Sequence, residues 1–333
     1  MKNGILGLDF GSRNLKMAFV ENNRRIEHTA IIPLPFGLVN NGEISDIDTL
    51  ARILKDGVAN NQLKAKEVAL SLHSSKVVTR EFHLPKLKEK ELYEALLIEL
   101  SKTFSDIYRT HRITYKIYEK TKEGISGLVT FCPKEIVDQY QALFQEAGLP
   151  LKYLDVHANT VSKTYNRFIR NDKKNELIMM VDIGCTSSQV NVIENGRMRF
   201  SRHIACGGLN IDKFVSKQLG IDIEKAERDK FNKYRGYELE GHDIKLFTTN
   251  GYNPIIQEIF QTFNYYSQQN PQGRFEKIYL CGGGSNLEDM PQYIAQVIGL
   301  EVSLIKPTDN KSVYIQAFSS LLPAIGAAIR EDV

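Results

Sequence analysis

Residues 177–191 read LIMMVDIGCTSSQVN, and this stretch decides the fold. Its first five residues are apolar, have the length of a buried strand, and stop at Asp182. A short polar turn follows before a second apolar strand. Glycine lets a backbone approach phosphate, turn N–H groups and hydroxyls donate to phosphoryl oxygens, and a carboxylate can hold hydrated Mg²⁺. The same residues also suit an ordinary tight turn. The turn consists of Gly184, Cys185, Thr186, Ser187 and Ser188.

Residues 5–20 repeat the arrangement near the start of the chain, as ILGLDFGSRNLKMAFV. An apolar strand again ends at an aspartate, Asp9, and a glycine and a hydroxyl precede a second strand that carries Lys16. Asp9 and Asp182 therefore hold the same place in two similar hairpins. Two such hairpins predict one nucleotide between two lobes.

A third glycine-rich segment lies at residues 278–287, which read IYLCGGGSNL. A short strand ends in three glycines, and the Ser-Asn pair that follows can cap the next helix. Three glycines leave a surface without side chains, which a flat adenosine and its ribose can approach. The three segments together predict a purine nucleotide site.

These segments resemble those of the actin-like ATPase superfamily, which includes actin, sugar kinases, heat-shock chaperones and the division protein FtsA. The resemblance covers nearly the whole chain and implies an α/β, actin-like (ribonuclease H-like) two-lobed fold. It identifies residues 9–16 as phosphate-1, residues 182–189 as phosphate-2 and residues 281–286 as the adenosine motif. Within the superfamily, the sequence resembles the PilM family of type IV pilus assembly proteins.

Composition favours a globular protein of one or two lobes: 333 residues, 42% hydrophobic and 25% charged. A net charge of +3 without a Lys/Arg stripe argues against a nucleic-acid partner. No apolar run approaches the roughly 18 residues of a membrane span, and no signal peptide precedes the first strand, so we expect a cytoplasmic protein. Four cysteines without a CxxC pair indicate neither a zinc site nor a disulfide framework, and the seven scattered histidines are expected to be surface or core residues and not catalysts.

Residues 77–154 have a different pattern and are interpreted as an insertion. An extended segment precedes an amphipathic helix near 92–104, and two strands and a second helix follow, closed by Gly148. This order resembles the subdomain called 1C, or SHS2, which FtsA and PilM carry and actin lacks; a generic α+β insertion is the alternative. The expected division is 1–76 with 155–175 as subdomain 1A, 77–154 as 1C, 176–215 with 274–333 as 2A, and 216–273 as 2B.

Three further places are candidates for the site. Asp155 lies where the superfamily orients the attacking water, which makes it a catalytic candidate, with a role as helix N-cap as the alternative. Gly207 and Gly208 precede a helix whose N–H groups can add to phosphate binding. Glu227 and Lys230 share one helical face, and the resemblance places them beside the adenine and ribose; a solvated ion pair is the alternative.

The resemblance implies ATP or ADP as the ligand, with Mg²⁺ held through water by Asp9 and Asp182. Nucleotide is also expected to shield Cys185 and Cys281 from thiol reagents, provided that both are exposed without it; the alternative is two inert buried thiols. The residues expected to contact the nucleotide are Asp9, Gly11, Ser12, Arg13, Asn14, Lys16, Asp182, Gly184, Cys185, Thr186, Ser187, Gly207, Gly208, Glu227, Lys230, Gly282, Gly283, Gly284 and Asn286.

Gln189 bears on turnover, because FtsA-like and many PilM-like sequences have Asp at this position. The amide can hydrogen-bond water, but it lacks the charge for general-base or Mg²⁺ chemistry. We therefore expect ATP to be a structural or switching ligand, with slow turnover or none.

The resemblance to PilM implies an adaptor that binds the N-terminal cytoplasmic peptide of a bitopic membrane protein, PilN. The expected groove lies between 1A and 1C, near residues 76–84 and 92–104. The sequence ends soon after its last helix without an FtsA-like amphipathic tail, so we expect association with the inner face of the cytoplasmic membrane only through the partner. Contact with a pilus assembly ATPase and self-association stay open. The alternatives are an FtsA-like polymerising actin homologue and a small-molecule kinase or phosphatase of the superfamily.

Overall fold

The computed structural model describes residues 4–63, 65–171, 176–229, 244–271, 273–287, 290–307 and 317–330, without the side chains of Glu89 and residues 244–250. In chain order the strands are β1 (Gly4–Phe10), β2 (Asn14–Glu21), β3 (Arg25–Pro33), β4 (Val39–Asn40), β5 (Glu43–Ile44), β6 (Glu67–Leu72), β7 (Val78–Pro85), β8 (His111–Lys120), β9 (Gly124–Pro133), β10 (Leu151–Val156), β11 (Leu177–Ile183), β12 (Ser188–Glu194), β13 (Arg197–Ile204), β14 (Lys277–Cys281) and β15 (Glu301–Leu304). The helices are α1 (Ile47–Asn60), α2 (Glu89–Ser101), α3 (Ile107–Thr110), α4 (Lys134–Glu146), α5 (His157–Phe168), α6 (Gly208–Leu219), α7 (Ile223–Asp229), α8 (Ile244–Gln269), α9 (Met290–Ile298) and α10 (Phe318–Ala328).

Two five-stranded sheets of the same topology organise the two lobes. Their strand orders are β10-β6-β1-β2-β3 and β13-β12-β11-β14-β15. In each sheet, the first three strands in sequence pair antiparallel as consecutive hairpins, and two later strands add in parallel on the other side of the first. The hairpin repeat that the sequence predicts therefore extends to all five strands of each sheet.

The strand register places the two aspartates at equivalent positions. Asp9 pairs with Lys16 across the β1–β2 hairpin, and Asp182 pairs with Gln189 across the β11–β12 hairpin. Both aspartates lie near the carboxyl end of the central strand of their sheet and are almost fully buried. Lys16 in the first lobe and Gln189 in the second are consequently structural counterparts.

A buried pair of helices joins the sheets. Every residue of α10 is buried, and its apolar side chains pack with residues of α5 and of both sheets in one core. A Cβ on Gly326 would lie 1.8 Å from the Thr160 carbonyl oxygen of α5, and one on Gly7 would lie 1.9 Å from that of Ala324. Small residues at these crossings therefore let the helices and the first sheet approach to backbone contact.

A three-stranded sheet, in the order β7-β9-β8, forms a separate layer with its own core. The helix expected near 92–104 is α2, which begins and ends three residues earlier than expected (Glu89–Ser101), and its Leu92, Leu96 and Leu100 pack on Phe82 and Phe131. The predicted sequence of strand, helix, strand, strand and helix is confirmed, with the short α3 as an addition.

The last helix of that segment packs elsewhere. In α4, Tyr140 and Phe144 are buried against Phe10 in the core of the first lobe, where α4 also meets α1. Strand β10 then pairs with β6 in the first sheet. Residues 134–156 thus contribute to the first lobe, because their apolar faces complete its core.

Among the described helices, none has the combination of length and apolar composition that a membrane span requires.

Candidate functional site

The turns that carry the two aspartates face each other across a cavity of about 250 Å³ between the lobes. Most of the nucleotide-site residues expected from the sequence line this cavity, although they come from distant parts of the chain. They are Asp9, Gly11, Ser12, Arg13, Asn14, Lys16, Asp182, Gly184, Cys185, Thr186, Ser187, Gly208, Glu227, Gly283 and Gly284. Gly207, Gly282, Asn286 and Asp155 do not line it, and Lys230 lies outside the described residues.

The phosphate-1 turn presents a buried cation. The Gly11 N–H donates to the Asn14 carbonyl (2.9 Å), which closes the turn, and Lys16 Nζ donates to Asp9 Oδ2 (2.9 Å). Burial alone lowers the pKa of Lys16, but attraction to Asp9 and Asp182 outweighs it and raises the pKa above its ordinary value. Lys16 is therefore charged and held at the cavity floor between two carboxylates.

The phosphate-2 turn is bonded to the start of α6. The N–H of Gly208 donates to the Gly184 carbonyl (2.9 Å), and the N–H of Leu209 donates to the Cys185 carbonyl (2.8 Å). A Cβ on Gly207 would lie 2.5 Å from the same Cys185 oxygen. These helix N–H groups, expected to be free for phosphate, instead hold the turn, and Gly207 permits the close packing.

The adenosine glycines divide into two roles. Gly283 has open space where a Cβ would stand, and it lines the cavity together with Gly284. Gly282 has a φ of +85°, and a Cβ there would lie 2.1 Å from Asp182 Oδ1. Gly282 therefore packs directly against the Asp182 carboxylate, where no side chain would fit. Asn286 accepts a hydrogen bond from the Ser319 hydroxyl (3.4 Å) outside the cavity.

Two histidines, His73 and His157, line the cavity. From the sequence, both were expected to be ordinary core or surface residues. His157 Nε2 lies 2.8 Å from Asp182 Oδ2, with both side chains buried. The His73 ring stacks on that of His157, with centroids 4.7 Å apart. Burial raises the pKa of Asp182, but donation from His157 and the charge of Lys16 outweigh it and lower that pKa to about 2. His73 immediately follows β6, which pairs parallel with β1, so both strands end at the same edge of the sheet. This position next to the end of β1 is the sequence signal that could have identified His73 as a residue of the site.

Asp155 does not face the cleft. It lies within β10, and its carboxylate accepts from the N–H of Val156 (2.8 Å) and from Asn159 Nδ2 (2.9 Å) and pairs with buried Lys163 (2.7 Å). Helix α5 has Val156 as its N-cap, without a side-chain cap bond. The N-cap interpretation of Asp155 is thus wrong, because the strand extends one residue further than expected, and the residue of this segment on the cavity is His157.

Besides His157 and Asp182, two further pairs of described residues on the cavity wall join the lobes. Arg13 Nη2 lies 2.6 Å from Glu227 Oε2, and the Thr186 hydroxyl donates to that of Ser12 (3.2 Å). The Arg13 guanidinium also stacks 4.9 Å from the ring centroid of Phe36. Glu227, expected to act with Lys230, therefore pairs with a residue of the opposite lobe.

The two thiols of the nucleotide segments differ. Cys185 is half-buried and lines the cavity, whereas Cys281 is fully buried and does not. Burial raises the pKa of Cys281 well above its ordinary value. Cys281 does not meet the condition of exposure, so the alternative of an inert buried thiol holds for Cys281.

Acidic groups in the cavity are already partnered. Asp9, Asp182 and Glu227 bond to Lys16, His157 and Arg13, respectively. Within the described ranges, no cluster of three or more His, Cys, Asp or Glu side chains could hold a metal ion by itself.

Comparison with known proteins agrees with this architecture. Residues 7–330 match the family described as type IV pilus assembly protein PilM. The solved PilM-PilN type IV pilus biogenesis complex contains a chain that is 20% identical and superimposes with a TM-score of 0.84. The superposition covers 98% of this chain and 98% of that one. Spiroplasma citri MreB5 bound to ADP is 14% identical over 98% of this chain and 93% of that one, with a TM-score of 0.53. These likenesses show the actin-like fold.

Cell division protein FtsA of Bacillus subtilis is 22% identical over 248 residues, which is 74% of this chain. The matched region is 52% of FtsA, so the alignment spans about half the length of that relative.

Proposed function

The chain belongs to the PilM family of type IV pilus assembly proteins, and on that premise we propose that it is an ATP-binding scaffold of the pilus assembly platform at the inner membrane. It recruits the N-terminal cytoplasmic segment of a PilN-like membrane protein and reaches the membrane through that partner. One observation carries the nucleotide part: Ser12, Thr186 and Gly283, from three remote segments, line one cavity between two lobes.

The residues of the cleft fit a nucleoside triphosphate. Lys16 supplies a fixed positive charge for the phosphates, and the turns at Gly11 and Gly184 bring backbone close to them. Gly283 leaves open space for the nucleoside. Arg13 Nε is buried without a partner, a donor that an anionic ligand would satisfy.

Magnesium fits as a hydrated ion, which is the form it favours beside phosphates. Asp9 and Asp182 each use one carboxylate oxygen on Lys16 or His157, and each keeps a second oxygen for metal-bound water. The ion would offset phosphate charge when bound. Asp9 orients Lys16, and both carboxylates would hold that water.

Turnover is proposed to be slow or absent. A general base for water needs an unoccupied acceptor at the terminal phosphate. The carboxylates on the described cavity wall are paired with Lys16, His157 or Arg13, and the second oxygens of Asp9 and Asp182 are assigned to metal-bound water; Asp155 and Gln189 do not line the wall. Nucleotide therefore acts by holding the two lobes in one relative position.

The partner groove is proposed along β7 and α2. In the described sheet, β7 pairs with β9 alone, so its other edge can accept an extended peptide as an added strand. On α2, the large apolar side chains of Tyr93 and Ile98 are 43% and 67% exposed. An apolar, edge-bearing face suits a short peptide that contributes apolar side chains.

Titration of a labelled PilN-like N-terminal peptide, followed by fluorescence anisotropy, tests this groove. Ile98→Asp is expected to weaken binding at least tenfold, whereas Val297→Asp, a matched change at a 43% exposed residue of α9, leaves it unchanged. Equal losses in both variants, or binding by neither the variants nor the natural chain, would contradict the groove. A rise in melting temperature with Mg-ATP tests the nucleotide site separately.

The similarity to FtsA favours one alternative, a polymerising actin-like protein. Nucleotide-dependent sedimentation without affinity for the peptide would replace the adaptor proposal. Phosphoryl transfer to a small acceptor above background would instead indicate a kinase.

A further inference from the structure

We propose that a second cavity, of about 300 Å³, binds a small tetrahedral oxyanion of the phosphate class. It lies beside the nucleotide cleft, between the residues that follow β6, the start of β7 and the sheet of the second lobe. His73 and His157 line both cavities, so two imidazole rings separate them. The inference does not depend on the nucleotide proposal.

The chemistry of the wall favours an anion. Hydroxyl, imidazole and amide groups line the second cavity, and none of its described lining residues is Asp or Glu. The guanidinium of Arg202 pairs with Glu258 (2.9 Å) and donates to Thr262 (3.4 Å) on the opposite face of β13 from Ser201 and His203, so its charge is directed to α8 and the donors of the cavity are neutral groups. A polar cavity that lacks carboxylates and carries several donors can desolvate an oxyanion at low cost.

Buried polar atoms at this wall have no partner within the protein. His73 Nε2 and His203 Nε2 are both buried and unbonded, and the two rings lie 5.4 Å apart. Burial lowers the pKa values of His73 and His203, so each ring is neutral at pH 7 and offers one N–H. Because a buried polar group is normally hydrogen-bonded, these nitrogens point to a ligand that accepts from more than one donor.

Gln189 decides the sign of the charge in this cavity. It pairs with His203 across the β12–β13 ladder, and its Nε2 donates to the Ser201 hydroxyl (2.5 Å), which donates to Asn191 (2.8 Å). A glutamate has the same shape but would place a negative charge among the donors. The neutral amide keeps the wall free of negative charge.

Titration with inorganic phosphate, followed by calorimetry and by the imidazole nitrogen resonances of the full chain, tests the site. Phosphate is expected to bind once and to shift the resonances of His73 and His203. Gln189→Glu should weaken binding at least tenfold, while Gln141→Glu, which adds the same charge on the exposed face of α4, should not. His203→Gln, a milder change that removes one imidazole, should also weaken it.

Thr186→Val separates the two cavities, because Thr186 belongs to a phosphate turn of the nucleotide cleft and does not line the second cavity. Unchanged phosphate affinity in this variant supports the second cavity. Affinity that is lost in Thr186→Val and kept in Gln189→Glu would assign phosphate to the nucleotide cleft and overturn the proposal. Absence of binding to the natural chain would overturn it as well, leaving a cavity that holds water only.

Discussion

Arg13 and Glu227 connect the two lobes across the mouth of the cleft, with Arg13 Nη2 2.6 Å from Glu227 Oε2. The residues are 214 positions apart, and their side chains are 26% and 33% exposed. Partly exposed pairs of this kind are screened by solvent and contribute about 0–1 kcal/mol to stability. Their role is therefore in the relative position of the lobes more than in the stability of either.

We predict that a double-mutant cycle of Arg13→Met and Glu227→Gln gives a coupling free energy of about 0.5 kcal/mol in urea unfolding of the nucleotide-free protein. The same pair should change nucleotide affinity more than stability, because a ligand in the cleft competes for both side chains. A coupling above about 2 kcal/mol would instead identify the pair as a main structural link between the lobes.

Two neighbouring glycines should respond in opposite ways to substitution. Gly283→Val fills open space, so we expect an unchanged melting temperature and at least tenfold weaker binding of a fluorescent ATP analogue. Gly282→Ala should lower the free energy of unfolding by roughly 1–3 kcal/mol, because its φ of +85° strains an L-residue and its Cβ would meet Asp182 Oδ1. Equal effects of the two changes on stability would contradict this division of roles.

His157 and Asp182 predict a dependence of stability on pH. The pKa of Asp182 falls to about 2 in the folded protein, against an ordinary value near 4. A lowered carboxyl pKa stabilises the fold above the unfolded pKa, and this contribution, about 2 kcal/mol, is lost as the pH falls from about 4 to 2. His157→Phe removes the main donor to Asp182, so it should lower stability at pH 7 and flatten the acid side of the profile.

Chemical unfolding of the nucleotide-free and metal-free protein at several pH values between 2 and 7 measures this effect. His28→Phe, at an exposed histidine of β3, is the matched control and should keep the natural profile. A profile for His157→Phe that parallels the natural one would show that His157 does not set the pKa of Asp182.

The cysteines predict one protected and one silent thiol. Cys185 lines the cavity, so Mg-ATP should slow its alkylation several-fold, and Cys185→Ser should remove the nucleotide-sensitive signal. Cys281 is fully buried with a raised pKa, so we expect no alkylation in the native state with or without nucleotide. Mass spectrometry of the labelled peptides resolves the two sites. Rapid labelling of Cys281 in the folded protein would contradict its burial.

Local pattern alone was sufficient for much of the fold. The apolar runs that end at Asp9 and Asp182 are strands, and the triple glycine follows a strand as expected. The amphipathic segment near 92–104 is a helix, α2. Each of these predictions depends on the spacing of apolar residues and on turn residues within about ten positions, and backbone conformation is determined largely over that range.

Partners across the chain were not predictable in the same way. Nothing near His157 indicates that its imidazole meets Asp182, and nothing near Arg13 indicates Glu227. Similarly, α4 is amphipathic in sequence, but its pattern does not show that the core of the first lobe covers its apolar face.

The sequence by itself determined two repeated aspartate hairpins, a glycine surface and a family, because each depends on residue types at short, regular spacing. Only the tertiary structure decided which carboxylates are paired and which glycines line the cleft. It also decided that His73 and His157 line both cavities. The physical reason is that the spacing of apolar residues indicates which face of a helix or strand is buried. Which residues that face contacts depends on how elements distant in the chain pack together.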